Sequence, residues 1–275
     1  MAVSSNSYFK NSAVGVPQVA GAVDLFRVDT LPKYSLGHMI ETADGKRYRY
    51  VNFGAITGQG KLVSQDVSES TYALNAMTVV APASAATTTD GTVGYKYIEV
   101  TDAARTANDL AGGYLIMTAG TGRGYTYRIK GNTVTGLPDG PASGNLRIEL
   151  YDKIQATVTA TTDVIGVGCK WANLEASNAA DVIPAGVTVA NITAADTYGW
   201  IQTRGVCGVF QDGTVPLGSI VTVSDVDSGA VMQLAGYDAS NDIQEAAKEP
   251  IVGYCVSAST DAVDGVYVGV NLTIE

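Results

Sequence analysis

Alternation between apolar and polar positions is clearest at the C-terminal end of the chain. Within 265–275, every second residue is a large aliphatic one, the set being Val266, Val268, Val270, Leu272 and Ile274. A period of two places neighbouring side chains on opposite faces of a β-strand. The pattern predicts a half-buried antiparallel strand here, and shorter apolar runs between Gly and Asp turns predict further strands at 199–210, 219–224, 231–234 and 251–257.

A second group of strands is predicted between residues 94 and 152. Turn sequences rich in Gly, Asn, Pro and Asp separate four apolar runs, at 94–100, 113–118, 124–130 and 145–151. In the third run Tyr127 and Ile129 face one way while Arg128 and Lys130 face the other. Each of these strands should therefore bury one side.

A β-hairpin is predicted nearer the N-terminus, in residues 34–55. Two β-rich runs flank Asp44-Gly45, a dipeptide that tolerates the positive φ of tight hairpin turns. In the second run the side chains alternate, with Tyr48 and Tyr50 on one face and the arginines Arg47 and Arg49 on the other. The arginines could bind carboxylates or phosphates, or they could form a solvated face that protects a strand edge.

The remaining stretches complete the predicted fold. Residues 1–33 are small and polar with interrupting Gly and Pro, which predicts an extended arm. Such an arm is either disordered or ordered against another surface, such as a neighbouring subunit, and its apolar residues favour the second alternative. Short helical turns are predicted at 68–75 and 173–181. The fold class is all-β, with antiparallel barrel or sandwich domains, this arm and only one or two short helices. The predicted segments are an arm, a hairpin and connecting region, a small β subdomain and an acidic C-terminal β domain, at 1–33, 34–92, 93–153 and 154–275.

Composition and charge limit the classes of binding partner that we expect. The chain has 31 Gly and 15 Tyr with only 16% charged residues, which favours short strands and tight turns. The net charge of −10 is concentrated in 154–275, where three Lys or Arg face 14 Asp or Glu. This balance argues against nucleic acid as a partner. No long apolar run or basic leader occurs, so we expect no membrane span, no cleaved signal and synthesis in a cytoplasm.

Candidate catalytic chemistry is sparse. His38 is the single histidine, and it lies inside a predicted strand without a Gly-x-Ser-x-Gly elbow elsewhere. The three cysteines are far apart and are interpreted as buried free thiols. Gly60-Lys61 lacks the Ser or Thr of a phosphate-binding loop, and Asp225 and Asp227 fit a turn better than a calcium loop. Paired carboxylates that meet only in the fold stay open. We expect no enzyme activity and no cofactor.

Three stretches together resemble structural proteins of tailed-bacteriophage virions. They are the hairpin from Leu36 to Val51, the strand from Tyr198 to Cys207, and the stretch from Pro250 to Tyr254 with the terminal valine strand. The likeness is closest to capsid decoration, or cement, proteins. The likeness lies in the general organisation of the chain, namely a polar arm, a hairpin and Gly-rich β-domains. It covers about half of the chain.

The resemblance implies a homotrimer that binds the major capsid protein on the outer surface of the head, after synthesis in the bacterial cytoplasm, and stabilises the head by bridging capsomers. Capsid contact is expected from the first 55 residues, with the candidates Phe26, Arg27, Tyr34, Arg47, Tyr48, Arg49 and Tyr50. Two alternatives are a tail, fibre or receptor-binding component of the virion, and a carbohydrate-binding or carbohydrate-active β-protein.

Overall fold

The computed structural model describes the chain in nine ranges and divides it into two compact units. The described residues are 23–65, 73–81, 84–85, 89–101, 107–133, 144–177, 183–234, 249–257 and 266–275. One unit is discontinuous and contains Met1–Asp66 and Trp171–Glu275, whereas the other contains Val67–Lys170. We call them the discontinuous unit and the inserted unit, because the second lies within the sequence of the first.

The described residues form strands and turns and contain no helix, which confirms the all-β prediction. The discontinuous unit holds ten strands: β1 (Met39–Glu41), β2 (Arg47–Phe53), β3 (Leu62–Gln65), β10 (Leu174–Ala176), β11 (Pro184–Thr188), β12 (Thr197–Phe210), β13 (Ile220–Val223), β14 (Val231–Gln233), β15 (Gly253–Ser257) and β16 (Tyr267–Thr273). The inserted unit holds six: β4 (Ala73–Thr78), β5 (Tyr97–Thr101), β6 (Tyr114–Ala119), β7 (Thr126–Asn132), β8 (Asn145–Leu150) and β9 (Asp163–Val167).

The predicted N-terminal hairpin is confirmed as β1 and β2. The two strands are antiparallel, with Ile40 opposite Tyr48, and Gly45 occupies the turn with φ +82°. A residue with a Cβ rarely adopts that φ, whereas glycine adopts it without strain. The Asp-Gly dipeptide therefore predicted the turn correctly, because the turn requires a residue with positive φ.

Five strands of the discontinuous unit form a closed barrel. The pairing runs β2, β10, β3, β11, β12 and returns to β2, so no strand of this ring keeps a free edge. Each strand places at least one buried side chain in the shared core, as Phe53, Val63, Leu174, Ala185 and Ile201 show. We call this ring the first barrel.

The second half of β12 belongs to a second ring. There β12 pairs with β16, followed by β15, β13 and β14. Gln211, the residue after β12, bridges Val231 of β14, and the amide of Asp212 donates to the Val231 carbonyl at 2.9 Å, which closes the ring. Its core is mostly valine, including Val268 and Val270 of the predicted terminal strand. The alternation in 265–275 is thus confirmed by burial.

Strand β12 changes partners at a β-bulge. Gln202 lies opposite Tyr48, but the next paired residue, Arg204, lies opposite Arg47, so one residue is extra. Gly205 follows with φ +86°, and a bulge of this kind bends the strand and increases its twist. The buried Gln202 amide stabilises the bend, because Nε2 lies 3.0 to 3.3 Å from the carbonyl oxygens of Arg204, Gly205 and Val206.

The inserted unit is a six-stranded barrel in the order β4, β9, β6, β7, β8, β5. Its ends meet where Val79 bridges Val100 and the amide of Val80 donates to the Glu99 carbonyl at 2.9 Å. The core consists of alternate residues of these strands, and Tyr127 and Ile129 are buried as the period predicted. Exposed residues of the same strands, such as Arg128, form the outer face.

The structure differs from the sequence expectations in how the segments combine. The inserted unit contains the predicted 93–153 subdomain together with β4 and β9. The hairpin region and the C-terminal region contribute strands to one unit. The helical turn expected at 173–181 is wrong over 174–176, because β10 completes the first barrel there with Leu174 fully buried. The turn expected at 68–75 is also wrong over 73–75, which open β4, and its remainder lies outside the described residues.

The first prediction concerns the bulge. Replacing Gln202 with Ala removes the amide that donates to the carbonyl groups of Arg204, Gly205 and Val206. We expect the free energy of unfolding of the discontinuous unit to fall by about 0.5–1.5 kcal/mol, the net contribution of a hydrogen bond. Both tryptophans, Trp171 and Trp200, lie in this unit, so tryptophan fluorescence excited at the red edge, where tyrosine does not absorb, reports the unfolding of this unit during urea titration. The control is Gln59→Ala, whose side chain is exposed; an equal effect of both variants would contradict the proposed role.

Candidate binding face

Residues 23–33, called here the N-terminal segment, are fixed to the beginning of β12. The amide of Asp29 donates to the Tyr198 carbonyl at 2.8 Å, and the amide of Tyr198 donates back to the Asp29 carbonyl at 2.7 Å. Leu25 is buried beneath the segment, whereas Phe26 and Leu31 keep 64% and 75% of their surface exposed. The segment is therefore an ordered part of the unit that points large apolar side chains outward.

Asp29 is the electrostatic centre of this attachment. Its carboxylate is 8% exposed and lies 2.8 Å from Arg27 Nε and 3.0 Å from Lys33 Nζ, and it accepts a hydrogen bond from the Tyr50 hydroxyl at 3.3 Å. Burial alone would raise the pKa of Asp29, but the hydrogen bonds and charges of Lys33 and Arg27 outweigh burial and lower that pKa below 3.8. Asp29 is therefore held as the anion.

An aromatic cluster lies next to Asp29, on the outer face of the first barrel. It consists of Tyr34, His38, Tyr50, Tyr198 and Trp200. Tyr34 meets Tyr50 edge to face at 5.1 Å and stacks on His38 at 5.3 Å, and Tyr50 meets Trp200 at 5.2 Å. Trp200 is 3% exposed and is therefore a buried anchor of the cluster. Such contacts add about 0.5–1.5 kcal/mol per pair beyond burial, so the cluster is a rigid support for the segment.

Both hairpin arginines are engaged within the chain. Arg47 Nε lies 3.0 Å from Glu41, and Arg49 Nε lies 2.8 Å from Glu275. Arg49 also donates through Nη1 to the Gly37 carbonyl at 2.7 Å and stacks on Trp171. These arginines do bind carboxylates, as one interpretation of the sequence held, but the carboxylates belong to the same chain.

The predicted contact residues are divided between the interior and the surface. Tyr48 and Tyr50 are buried, Tyr34 is half-buried in the aromatic cluster, and only Phe26 and Arg27 expose most of their side chain. Leu31 was not among the candidates, although it is more exposed than Phe26. A large apolar residue next to Pro32 was the available signal. The structure thus brings the exposed candidates together on the N-terminal segment.

An apolar groove of about 230 Å³ borders this segment. Leu25 and Phe26 form one side, and Tyr48, Val206 and Cys207 lie among the residues of the other sides. Burial raises the pKa of the Cys207 thiol to about 12, although nearby Lys46 acts in the opposite direction. Burial and the charge of Asp44 likewise raise the pKa of Tyr48 to about 12. Both groups are therefore neutral at physiological pH, so these two side chains contribute uncharged surface to the groove.

Within the described ranges, no group of three or more His, Cys, Asp or Glu side chains is placed to hold a metal ion. Those ranges also contain no helix long and apolar enough to cross a membrane. The chain matches no family model, and comparisons with curated proteins and with solved structures find no significant match.

The raised pKa of Cys207 leads to a prediction about labelling. At pH 8 a thiol with a pKa of about 12 is ionised to only about one part in ten thousand, and the thiolate is the reactive form. We expect iodoacetamide to label native Cys207 about a thousandfold more slowly than an ordinary thiol. Peptide mapping by mass spectrometry measures this, with guanidinium-unfolded protein as the control in which all three cysteines react. Rapid native labelling would contradict the described environment.

The Asp29 attachment leads to a prediction about pH and mutation. Because the folded-state pKa lies below 3.8, the ionised carboxylate stabilises the segment at higher pH, and this contribution is lost as the pH falls through the folded value. Asp29→Asn should remove the same contribution at neutral pH, about 1 kcal/mol since Arg27 and Lys33 are partly solvated. Hydrogen exchange of the Asp29 and Tyr198 amides measures it, with exposed Asp225→Asn as control. Unchanged protection in Asp29→Asn would contradict the attachment.

Proposed function

We propose that this protein is a structural component of a bacteriophage virion. In this proposal it is made in the host cytoplasm, binds the outer surface of the capsid as a homotrimer and bridges neighbouring capsomers without catalysing a reaction. The class of partner, the major capsid protein, comes from the resemblance of the hairpin and the C-terminal strands to decoration proteins. The binding face comes from the geometry of the N-terminal segment.

The observation that carries the proposal is the exposure of Phe26 and Leu31 on an ordered segment. Large apolar side chains on a fixed surface are typical of interaction sites, and an aromatic anchor often contributes most of the binding energy. The two backbone hydrogen bonds to Tyr198 and the Asp29 ion pairs already hold this segment. Binding would therefore cost little conformational entropy, because the segment is already ordered.

The distribution of charge supports the same face. The discontinuous unit contains nine Lys or Arg and 18 Asp or Glu, a net charge of −9, whereas residues 23–33 contain two of each and are neutral. Charged groups are depleted at the centre of protein interfaces because their desolvation is costly. The neutral segment with its apolar side chains is the favourable centre, and the acidic remainder suits an outer, solvated surface.

Two other functions compete with this proposal. A tail, fibre or receptor-binding component would present the same β-architecture at another place in the particle. A carbohydrate-binding or carbohydrate-active protein would act through a site that recognises sugars. A binding assay on capsids separates the proposed function from both alternatives, because only the proposed function requires affinity for the head.

We expect Phe26→Asp and Leu31→Asp each to weaken binding to heads by at least about tenfold, since each places a charge in the apolar centre of the contact. The measurement is co-sedimentation with empty heads assembled from the major capsid protein encoded with this chain. The matched control is Leu217→Asp, which changes a leucine that is 69% exposed elsewhere in the same unit. Wild-type protein that fails to bind heads would overturn the proposal.

The N-terminal arm needs a separate variant. Residues 1–22 lie outside the described residues, whereas Leu25 and Asp29 support the aromatic cluster. Deletion of residues 2–22 therefore tests the arm without removing that support. Loss of head binding in this variant, with the oligomer retained in sedimentation velocity, is the expected result. If Phe26→Asp and Leu31→Asp bind heads as the wild type does, the segment is not the contact.

A further inference from the structure

A polar groove of about 220 Å³ lies on the outer face of the inserted unit, where β5, β8 and β7 are neighbours. Seven side chains that carry hydrogen-bonding groups line it, among them Tyr97, Asn108, Lys130, Arg147 and Glu149. Gly131 belongs to the same wall, and a Cβ at this position would come within 2.5 Å of Asn108 Oδ1. The missing side chain therefore leaves space for the Asn108 amide in the groove.

The guanidinium of Arg147 is held rigidly in this groove. Asp90, which has no exposed surface, accepts hydrogen bonds from Nε at 2.6 Å and from Nη2 at 2.9 Å. The guanidinium also lies 4.1 Å from the centre of the Tyr97 ring. A buried ion pair is a poor way to gain stability, because desolvation of the charges offsets their attraction. Its clear effect here is to fix the side chain, with Nη1 left outside the pair.

Each basic group of the groove has an acidic partner. Arg147 pairs with Asp90, Lys130 lies 2.7 Å from Glu149, and the buried Glu99 lies opposite Arg147 on β5. An anion bound here would meet these carboxylates, whereas a cation would meet the two basic groups. The arrangement therefore favours a ligand without net charge.

Several polar groups of the groove have no partner among the described residues. The hydroxyl of Tyr97, the carboxamide of Asn108 and Nη1 of Arg147 make no hydrogen bond to another described side chain or backbone group. Together they provide donors and acceptors around a shallow space next to an aromatic ring. A molecule with many hydroxyl groups matches such a mixture, because each hydroxyl both donates and accepts.

We propose that this groove of the inserted unit binds a neutral saccharide. The proposal does not depend on attachment to a capsid, since all its groups belong to the inserted unit. It assigns recognition to Arg147, Asn108 and Tyr97, and it assigns to Asp90 the positioning of Arg147.

The test uses the full chain and an array of neutral oligosaccharides built from glucose, galactose, mannose or N-acetylglucosamine, together with sialylated and phosphorylated oligosaccharides for comparison. Saturation-transfer NMR is measured with saccharide at up to about 10 mM, which detects millimolar dissociation constants. Tyr97→Phe keeps the ring and removes only the hydroxyl. Asn108→Gly removes the amide and suits the positive φ of 67° at this residue.

Each variant should weaken binding by about three- to tenfold, the effect of one lost hydrogen bond. The matched control is Tyr114→Phe, which changes an exposed tyrosine of the same unit outside the groove and should leave binding unchanged. Circular dichroism verifies that each variant is folded.

Three results would overturn the proposal. The first is the absence of binding by every neutral saccharide. The second is tighter binding of sialylated or phosphorylated saccharides than of neutral ones. The third is equal binding by Tyr97→Phe, Asn108→Gly and the wild type. None of these results bears on head binding, so the two proposals fail independently.

Discussion

Strand β12 must serve two barrels, and this constraint determines the architecture of the discontinuous unit. Before the bulge it completes the first barrel beside β2, and after the bulge it pairs with β16 in the second. A straight strand could not follow both curvatures, so the extra residue and the left-handed Gly205 supply the bend. The Gln202 amide then donates to the carbonyl groups of Arg204, Gly205 and Val206 at the bend. Both hydrophobic cores depend on this short stretch of backbone.

The local sequence pattern identified most of the strands, because the side chains that a strand buries recur at every second position. The predicted runs at 199–210, 219–224, 231–234, 251–257 and 265–274 all correspond to strands. The three-residue strand β10 is too short to show a period, and it was mistaken for a helical turn. The ring closures depend on pairs distant in the sequence, such as β2 with β12, for which a single sequence contains no signal.

The candidate face shows the same limit at the level of side chains. The sequence correctly separated the tyrosines and arginines of β2 onto opposite faces. It could not reveal that Arg49 would meet Glu275, 226 residues away, or that the N-terminal segment would cover Tyr50. What remains exposed is thus set by long-range packing. Phe26 and Leu31 differ from the buried aromatic residues only through this packing.

The position of the inserted unit has a consequence for synthesis and for evolution. Gln65 and Leu174 are paired neighbours in the first barrel, although the whole of Val67–Lys170 lies between them in sequence. The first barrel therefore cannot close on the ribosome until that stretch has emerged, whereas the inserted unit is contiguous and can fold earlier. A module whose two ends enter and leave at adjacent strands can also be exchanged for another, or for a short turn, without rethreading its host.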